Sequence, residues 1–280
     1  MRCDLHIHSN YSDGTCTIEQ ILQEARQLGL TVALTDHNTV SGVPAFLQMA
    51  QQLGVTAVAG TELSTVYEGK ELHLLGLFIP DEAFAQVEAL TRSFLIRKEE
   101  SNIALVKRLN AAGYQLDYAS IKARNATGNV NRALIAAELV EQGYVASVKD
   151  AFKQLLGESK GYYVPPERLD LFDGIAFLRR IKAVPVLAHP LLDLDEAQLR
   201  RLLPQAIHAG LLGMEVQHSS YDDGKIALAT AIAEEHQLLP SGGSDFHGQT
   251  KPDVKLGIGK GNLDIPLSYY LQLLQCSKTL

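Results

Sequence analysis

L-T-V-A-L-T-D-H, residues 30–37, is a short apolar, β-branched run that stops on an aspartate and a histidine. Such a run reads as a strand buried on both faces, with polar residues beginning where the strand ends. The flanking sequence supports this. On one side, Thr17 and Gln20 form a capping-box pattern, and Ile18, Ile21, Leu22, Ala25 and Leu28 recur at helical spacing until Gly29 stops them. On the other, Pro44 opens a second helical stretch that ends near Gly54, and V-T-A-V-A (55–59) is a strand delivering Gly60-Thr61-Glu62.

The pattern continues outward. E-L-H-L-L-G-L-F (71–78) is a further strand with His73 inside it, A-V-P-V-L-A (183–188) runs into His189, L-L-G-M-E-V (211–216) into Gln217-His218, and L-L-P-S-G-G (238–243) into Ser244-Asp245-Phe246-His247. Strands alternating with helices favour a parallel sheet covered on both faces. Strand after strand ending in His, Asp or Glu favours closure into a barrel, where reactive groups gather at the strands' carboxyl ends. An open doubly wound sheet concentrates them at one switch point instead. The expected fold class is therefore α/β, a distorted barrel formed by residues 1–80 and 169–280. Residues 81–168 break the alternation: A-L-V-K-R-L-N-A-A-G-Y (104–114) and R-A-L-I-A-A-E-L-V-E-Q-G-Y (132–144) are amphipathic helices closed by glycine, so an inserted, mainly helical lobe is expected, with Tyr162–Pro166 as its return linker.

Composition narrows the function. The chain has 280 residues, 46% apolar and 20% charged, which suits a water-soluble globular protein. No apolar run approaches the roughly 18 residues a membrane-spanning helix needs, and the three cysteines have neither disulfide nor zinc-knuckle spacing. A cytoplasmic protein without a membrane partner is the expectation. The net charge of −7 argues against a broad grip on duplex nucleic acid. Residues 81–168 carry a net +1, which leaves −8 on the rest, and clustered carboxylates need cations nearby.

The strand-end residues are His6, His8, Asp13, His37, Glu62, His73, His189, Asp245 and His247. A lone histidine beside a strand is usually a hydrogen-bonded rim residue, but independent structural roles do not collect at one edge of a fold. Imidazole nitrogen and carboxylate oxygen without thiolate suit zinc, manganese or iron, and nine ligands exceed the needs of one ion. In D-L-H-I-H (4–8), strand alternation puts His6 and His8 on one face, a two-toothed clamp. His208 and His236 fall within helical patterns, away from this set.

In order along the chain, D-L-H-I-H-S-N-Y-S-D-G (4–14), T-D-H-N-T-V-S-G (35–42), G-T-E-L-S (60–64), E-L-H-L-L-G (71–76), L-A-H-P (187–190) and G-G-S-D-F-H-G (242–248) resemble the motif series of the polymerase-and-histidinol-phosphatase (PHP) family of metal-dependent phosphoesterases. The resemblance implies a distorted (β/α)7 barrel with two or three divalent ions, Mn, Zn or Fe, at the strand ends. It implies one ion on His6, His8, Glu62 and Asp245, a second sharing Glu62 with His73 and His189, and a third on Asp13, His37 and His247. Closely spaced ions lower the pKa of a bound water and hold phosphate oxygens. The expected nucleophile is thus a metal-bound hydroxide, with Asp13, His37 and His247 the expected catalytic residues. G-x-S-x-G is absent.

The helical lobe most resembles that of family members acting on nucleoside 3′,5′-bisphosphates or trimming short RNA from its 5′ end. Those commonly carry Arg followed two positions later by His. Here N-R-A-L keeps Arg132 but has Leu134 at the second place. Arg132 and His218 are the expected substrate contacts, the former as a guanidinium fork for phosphate. The expected partner is a small phosphorylated substrate, a nucleotide or short oligonucleotide under the capping lobe. The alternatives are a phosphatase of another small phosphomonoester such as histidinol phosphate, and a metal-binding domain without catalysis.

Overall fold

The computed structural model describes residues 2–124 and 130–280. β1 (Arg2–Ile7), β2 (Leu30–Leu34) and β3 (Ala57–Tyr67) are parallel neighbours separated by α1 (Ile18–Leu28) and α2 (Val43–Leu53). Thr17 caps α1 with Gln20 reaching back to its backbone, and Gly29 closes the helix at φ 64, a conformation that costs other residues a clash at Cβ. β3 is longer than V-T-A-V-A: it continues through Glu62 to Tyr67.

The sheet is not all-parallel as strand–helix alternation led one to expect. β4 (Lys70–Leu77) runs antiparallel to β3 and also to β6 (Val184–Leu187). The cause is local. Glu68 and Gly69 take φ of 47 and 79, the two positive angles of a tight two-residue hairpin turn, so the chain folds straight back. In a reversed strand the first half lies where its neighbours end. His73, opposite Ser64 in the pairing, thereby reaches the edge to which the parallel strands deliver their own polar residues.

Parallel pairing resumes from β6 to β7 (Gly213–His218) and β8 (Leu239–Gly243). α7 (Leu171–Arg180), α8 (Pro190–Asp193), α9 (Glu196–Ala209) and α10 (Asp223–Glu235) connect these strands, and α11 (Leu267–Ser277) follows the last. A two-residue strand, β5 (Leu169–Asp170), pairs alongside β3 and lies off the main path β1-β2-β3-β4-β6-β7-β8. That path closes on itself: the His8 N–H donates to the Phe246 carbonyl at 2.9 Å and the Asp245 N–H to the His6 carbonyl at 2.9 Å. The result is a distorted seven-stranded barrel.

Alternation puts Leu75 and Leu77 on the same face of β4 as His73, and Val58 on the same face of β3 as Glu62. These apolar residues form one buried cluster with Cys3, Leu5, Val184, Val186 and Leu273 of α11. The polar cluster thus rests on an apolar floor, to which each fully buried leucine contributes about 2 kcal/mol. A register shift between Asp4 and Ile7 inserts one extra residue into β1. This bulge lets Leu5 join the floor while His6 and His8, of opposite parity, join the site. Cys3 is packing, and burial pushes its thiol up to about 12.

Two compact units emerge: Met1–Ala89 with Arg168–Leu280, and Leu90–Glu167. The second holds α4 (Tyr118–Ala123), α5 (Arg132–Glu141), α6 (Val148–Ala151) and most of α3 (Phe84–Ala111). Its core is formed by residues such as Leu105, Leu109, Ile121, Ile135, Leu139, Leu156 and Tyr163. Tyr163 therefore belongs to that core, where a linker had been expected from Tyr162–Pro166. No described helix is long and apolar enough to cross a membrane.

Candidate metal centre

The first unit brings all nine strand-end residues together. Glu62 is the hub, 1% exposed. Its Oε2 lies 3.1 Å from His6 Nε2, 3.2 Å from His8 Nε2 and 3.2 Å from His37 Nδ1, while Oε1 lies 2.8 Å from His73 Nδ1 and 3.2 Å from His189 Nε2. Asp245 Oδ1 stands 3.7, 3.3 and 3.3 Å from nitrogens of His6, His8 and His247. Asp13 Oδ1 is 3.2 Å from His247 Nε2.

Backbone features place these groups. His37 pairs across to Glu62 in a parallel bridge, and the Asn38 side chain, exchanging hydrogen bonds of 3.0 Å with Ser64, ties the loop after β2 to β3. His189 and Asp245 hold φ of 29 and 56, left-handed angles rare outside glycine and concentrated at functional sites. Gly243 is required by proximity: a Cβ there would overlap the His6 Cβ.

The donor set fits divalent cations. His8 Nδ1, His37 Nδ1, His189 Nδ1 and Glu62 Oε2 are buried and make no hydrogen bond, a state that costs about 1–3 kcal/mol per group when nothing else satisfies it. Among the described residues four overlapping sets have donor atoms all within 4.8 Å of one another: His6, His8 and Asp245; His6, Glu62 and His189; His37, Glu62 and His73; and His8, Asp13, His37 and His247.

The carboxylates also set the charge of the neighbouring rings. Burial opposes the charge on His73 and His189, but Glu62 with Glu71 carries His73 up to about 10, and Asp193 with Glu62 carries His189 up to about 9. Burial dominates at His37, only partly offset by Glu62, and pushes it down to about 4. Glu62 is itself held well below the usual carboxylate range, the imidazoles of His6 and His37 outweighing its burial.

Three contributors escaped the sequence reading. Glu215, fully buried in β7, places Oε1 3.1 Å from His6 Nδ1 and accepts the His189 N–H on Oε2 at 2.7 Å. A glutamate inside the apolar run 211–216 was the available signal. Such a partner behind a ligand fixes its tautomer and orientation. Glu215→Gln is expected to weaken metal binding about 10–100-fold with the fold retained, as read by competition against a fluorescent chelator. Asp4 accepts from the Ser244 N–H and hydroxyl at 2.8 and 2.5 Å and from the Gly257 N–H at 2.8 Å, locking β1 to the segment after β8. Lys251 donates to Asp245 Oδ2 at 2.5 Å.

The expected substrate residues are placed differently. His218 is buried behind Asp245. Its Nδ1 accepts the Ser220 N–H at 3.1 Å, so the ring proton sits on Nε2, 3.3 Å from Asp245 Oδ2. The ring thus braces the Asp245 carboxylate. Arg132, in the helical unit, stacks 4.0 Å over the Tyr163 ring and donates to the Leu156 carbonyl at 3.2 Å, while Leu134 packs against that unit's core. A cleft of about 350 Å³ opens over the centre, lined by His37, Glu62, Glu71, His73, His189, Leu192, Asp193, Asp245 and Lys251.

Comparison with known proteins identifies the family. The PHP domain profile matches residues 4–163, more than half of the chain. A 5′-3′ exoribonuclease of Haemophilus influenzae is 32% identical over 264 residues, 94% of this chain and 94% of that protein. A 3′,5′-nucleoside bisphosphate phosphatase of Chromobacterium violaceum is 30% identical over 250 residues, 87% of this chain and 86% of the relative. A solved structure from Bifidobacterium adolescentis, described as a candidate metal-dependent phosphoesterase, superposes with a TM-score of 0.71 at 27% identity, covering 98% of this chain and 96% of its own. The chain belongs to the PHP domain family, and with this fold and this cluster of nitrogen and oxygen donors it is a metal-dependent hydrolase of phosphoric ester bonds.

Proposed function

We propose that the chain hydrolyses a phosphomonoester or terminal phosphodiester of a nucleotide or short oligonucleotide, with a nucleoside 3′,5′-bisphosphate as the leading substrate type, using two or three divalent ions drawn from Mn, Zn and Fe. The observation that carries the reading is Glu62, whose two oxygens face different sets of imidazoles, as a carboxylate shared between neighbouring cations does. The names of the H. influenzae and C. violaceum relatives, which cover nearly the whole chain, support a nucleotide substrate. When bound, the ions activate water and screen the phosphate charge.

The chain's own groups do the rest. His6, His8, Glu62 and Asp245 form one proposed ligand set, Glu62 shared with His73 and His189 a second, and Asp13, His37 and His247 a third. Glu215 and His218 hold first ligands in place from behind. Asp13, His37 and His247 are proposed to orient the attacking water, since His247 Nε2 lies 3.2 Å and His37 Nε2 3.8 Å from oxygens of the Asp13 carboxylate. Arg132 is proposed as a phosphate contact on the chemistry of its guanidinium.

The test is a phosphate-release screen of the metal-reconstituted protein against 3′,5′-bisphosphates, mononucleotides, histidinol phosphate and 5′-phosphorylated oligonucleotides. Release from a bisphosphate at least tenfold faster than from histidinol phosphate is the expected result, and the reverse ranking sinks the nucleotide reading. His37→Ala is expected to lower kcat about a hundredfold or more, and Arg132→Ala to raise KM with kcat little changed. Full turnover in His37→Ala would remove the third ligand set from the mechanism.

A further inference from the structure

We propose that Lys251 is a substrate-binding residue whose ammonium receives a non-bridging oxygen of the scissile phosphoryl group; the identity of the substrate rests on the function proposed above, the phosphate contact does not. The cleft is lined by the carboxylates of Glu62, Glu71, Asp193 and Asp245, and Lys251 is the single Lys or Arg among its lining residues that the structure describes. A phosphate dianion entering a cavity of that sign needs cations at every turn. Resident metal ions supply some of that charge, and Lys251 supplies the protein's own.

The geometry suits the task. An ammonium has three donors. One goes to Asp245 Oδ2 at 2.5 Å, and the side chain is 40% exposed, so the group is reachable from the cleft with donors to spare. His218 Nε2 shares that same oxygen at 3.3 Å. With Oδ2 held by two donors, Oδ1 is left facing the rings of His6, His8 and His247. The ammonium and those histidines thus engage different oxygens of Asp245.

The segment that carries Lys251 is anchored. The Gln249 N–H donates to Thr15 Oγ1 at 2.7 Å, the Thr250 hydroxyl to the Asp13 carbonyl at 3.1 Å, and the Thr15 N–H to the His247 carbonyl at 3.1 Å. Gly248, at φ 63, lies so close to Thr15 and Cys16 that a Cβ would collide with both, and Pro252 restricts Lys251 to extended conformations. The lysine therefore springs from a segment after β8 that is hydrogen-bonded to the loop carrying Asp13, and its charge is placed before substrate arrives, which lowers the ordering cost of binding.

Wild type, Lys251→Met and Lys251→Arg are to be compared in the metal-loaded state by elemental analysis, by calorimetric titration with inorganic phosphate and by steady-state kinetics. The expected result is an unchanged metal content in Lys251→Met, phosphate binding weakened about 10–100-fold with KM raised in parallel, and recovery to within a few-fold of wild type in Lys251→Arg. Loss of metal from Lys251→Met would assign the lysine to holding Asp245 alone and overturn the proposal, as would phosphate affinity equal to wild type. If phosphate binds as described while nucleotides are not hydrolysed, the lysine's role stands and the nucleotide reading falls.

Discussion

Glu62→Gln is expected to lower kcat/KM for phosphate release at least about a thousandfold, roughly 4 kcal/mol of transition-state stabilisation, and to strip metal from the protein. The carboxylate is buried, and both oxygens stand 2.8–3.2 Å from imidazole nitrogens of five different histidines. The amide is nearly isosteric, so packing on the apolar floor is retained. What changes is charge and donor chemistry: a carboxamide presents N–H groups where a cation requires lone pairs, and it withdraws the negative charge that holds the neighbouring rings in register. Glu62→Asp, which keeps the charge but retreats by one methylene, is expected to fall between the two. Metal content by elemental analysis and initial rates are the measurements. A Glu62→Gln protein that keeps its full metal complement and activity within tenfold of wild type would show that the centre is not organised on this residue.

Chelation is expected to bring turnover to background, restored by divalent ions, with an apparent metal affinity that rises with pH. The sign follows from the rings. His73 and His189, raised to about 10 and about 9 in the metal-free chain, carry protons at neutral pH, and a protonated imidazole has no lone pair for a metal. Loading must expel those protons. Below both values each expelled proton makes the apparent association constant climb about tenfold per pH unit, so these two rings contribute about a hundredfold per unit. Above about 10 the dependence flattens. Calorimetry in buffers of different ionisation enthalpy counts the released protons directly. Because a ligand that binds only the folded chain stabilises it by mass action, the loaded protein should also melt at a higher temperature than the chelated one. Metal binding that releases no protons between pH 6 and 8 would contradict the protonation of these two rings.

Local signals were legible to the extent that their physics is local. The cap formed by Thr17 and Gln20 and the stop at Gly29 involve residues within a few positions of one another. The burial of L-T-V-A-L and its end at Asp36-His37 follow from composition alone. Glu68-Gly69 turns with positive φ at both residues, a conformation glutamate rarely takes, and its consequence is not local. Once the chain turns there, β4 must run against its neighbours, and His73 comes to the edge where the other donors gather from a strand's beginning rather than its end. The bulge in β1 is similar: nothing in D-L-H-I-H announces that Leu5 and His6 will serve adjacent layers, because the register is set by pairing with β2 and with the segment after β8.

The sequence by itself determined the alternating strands and helices, the barrel, and the roster of nitrogen and oxygen donors at strand ends, since periodicity and residue chemistry carry that information one segment at a time. Only the tertiary structure decided the direction of β4, the commitment of His218 to Asp245, the place of Glu215 behind His6 and the position of Lys251 on the cleft wall. A buried carboxylate or a ring tautomer takes its role from the partner it meets, and the partners of Glu215 and His218 lie 209 and 27 residues away in the chain, where closure of the sheet and not sequence proximity brings them within reach.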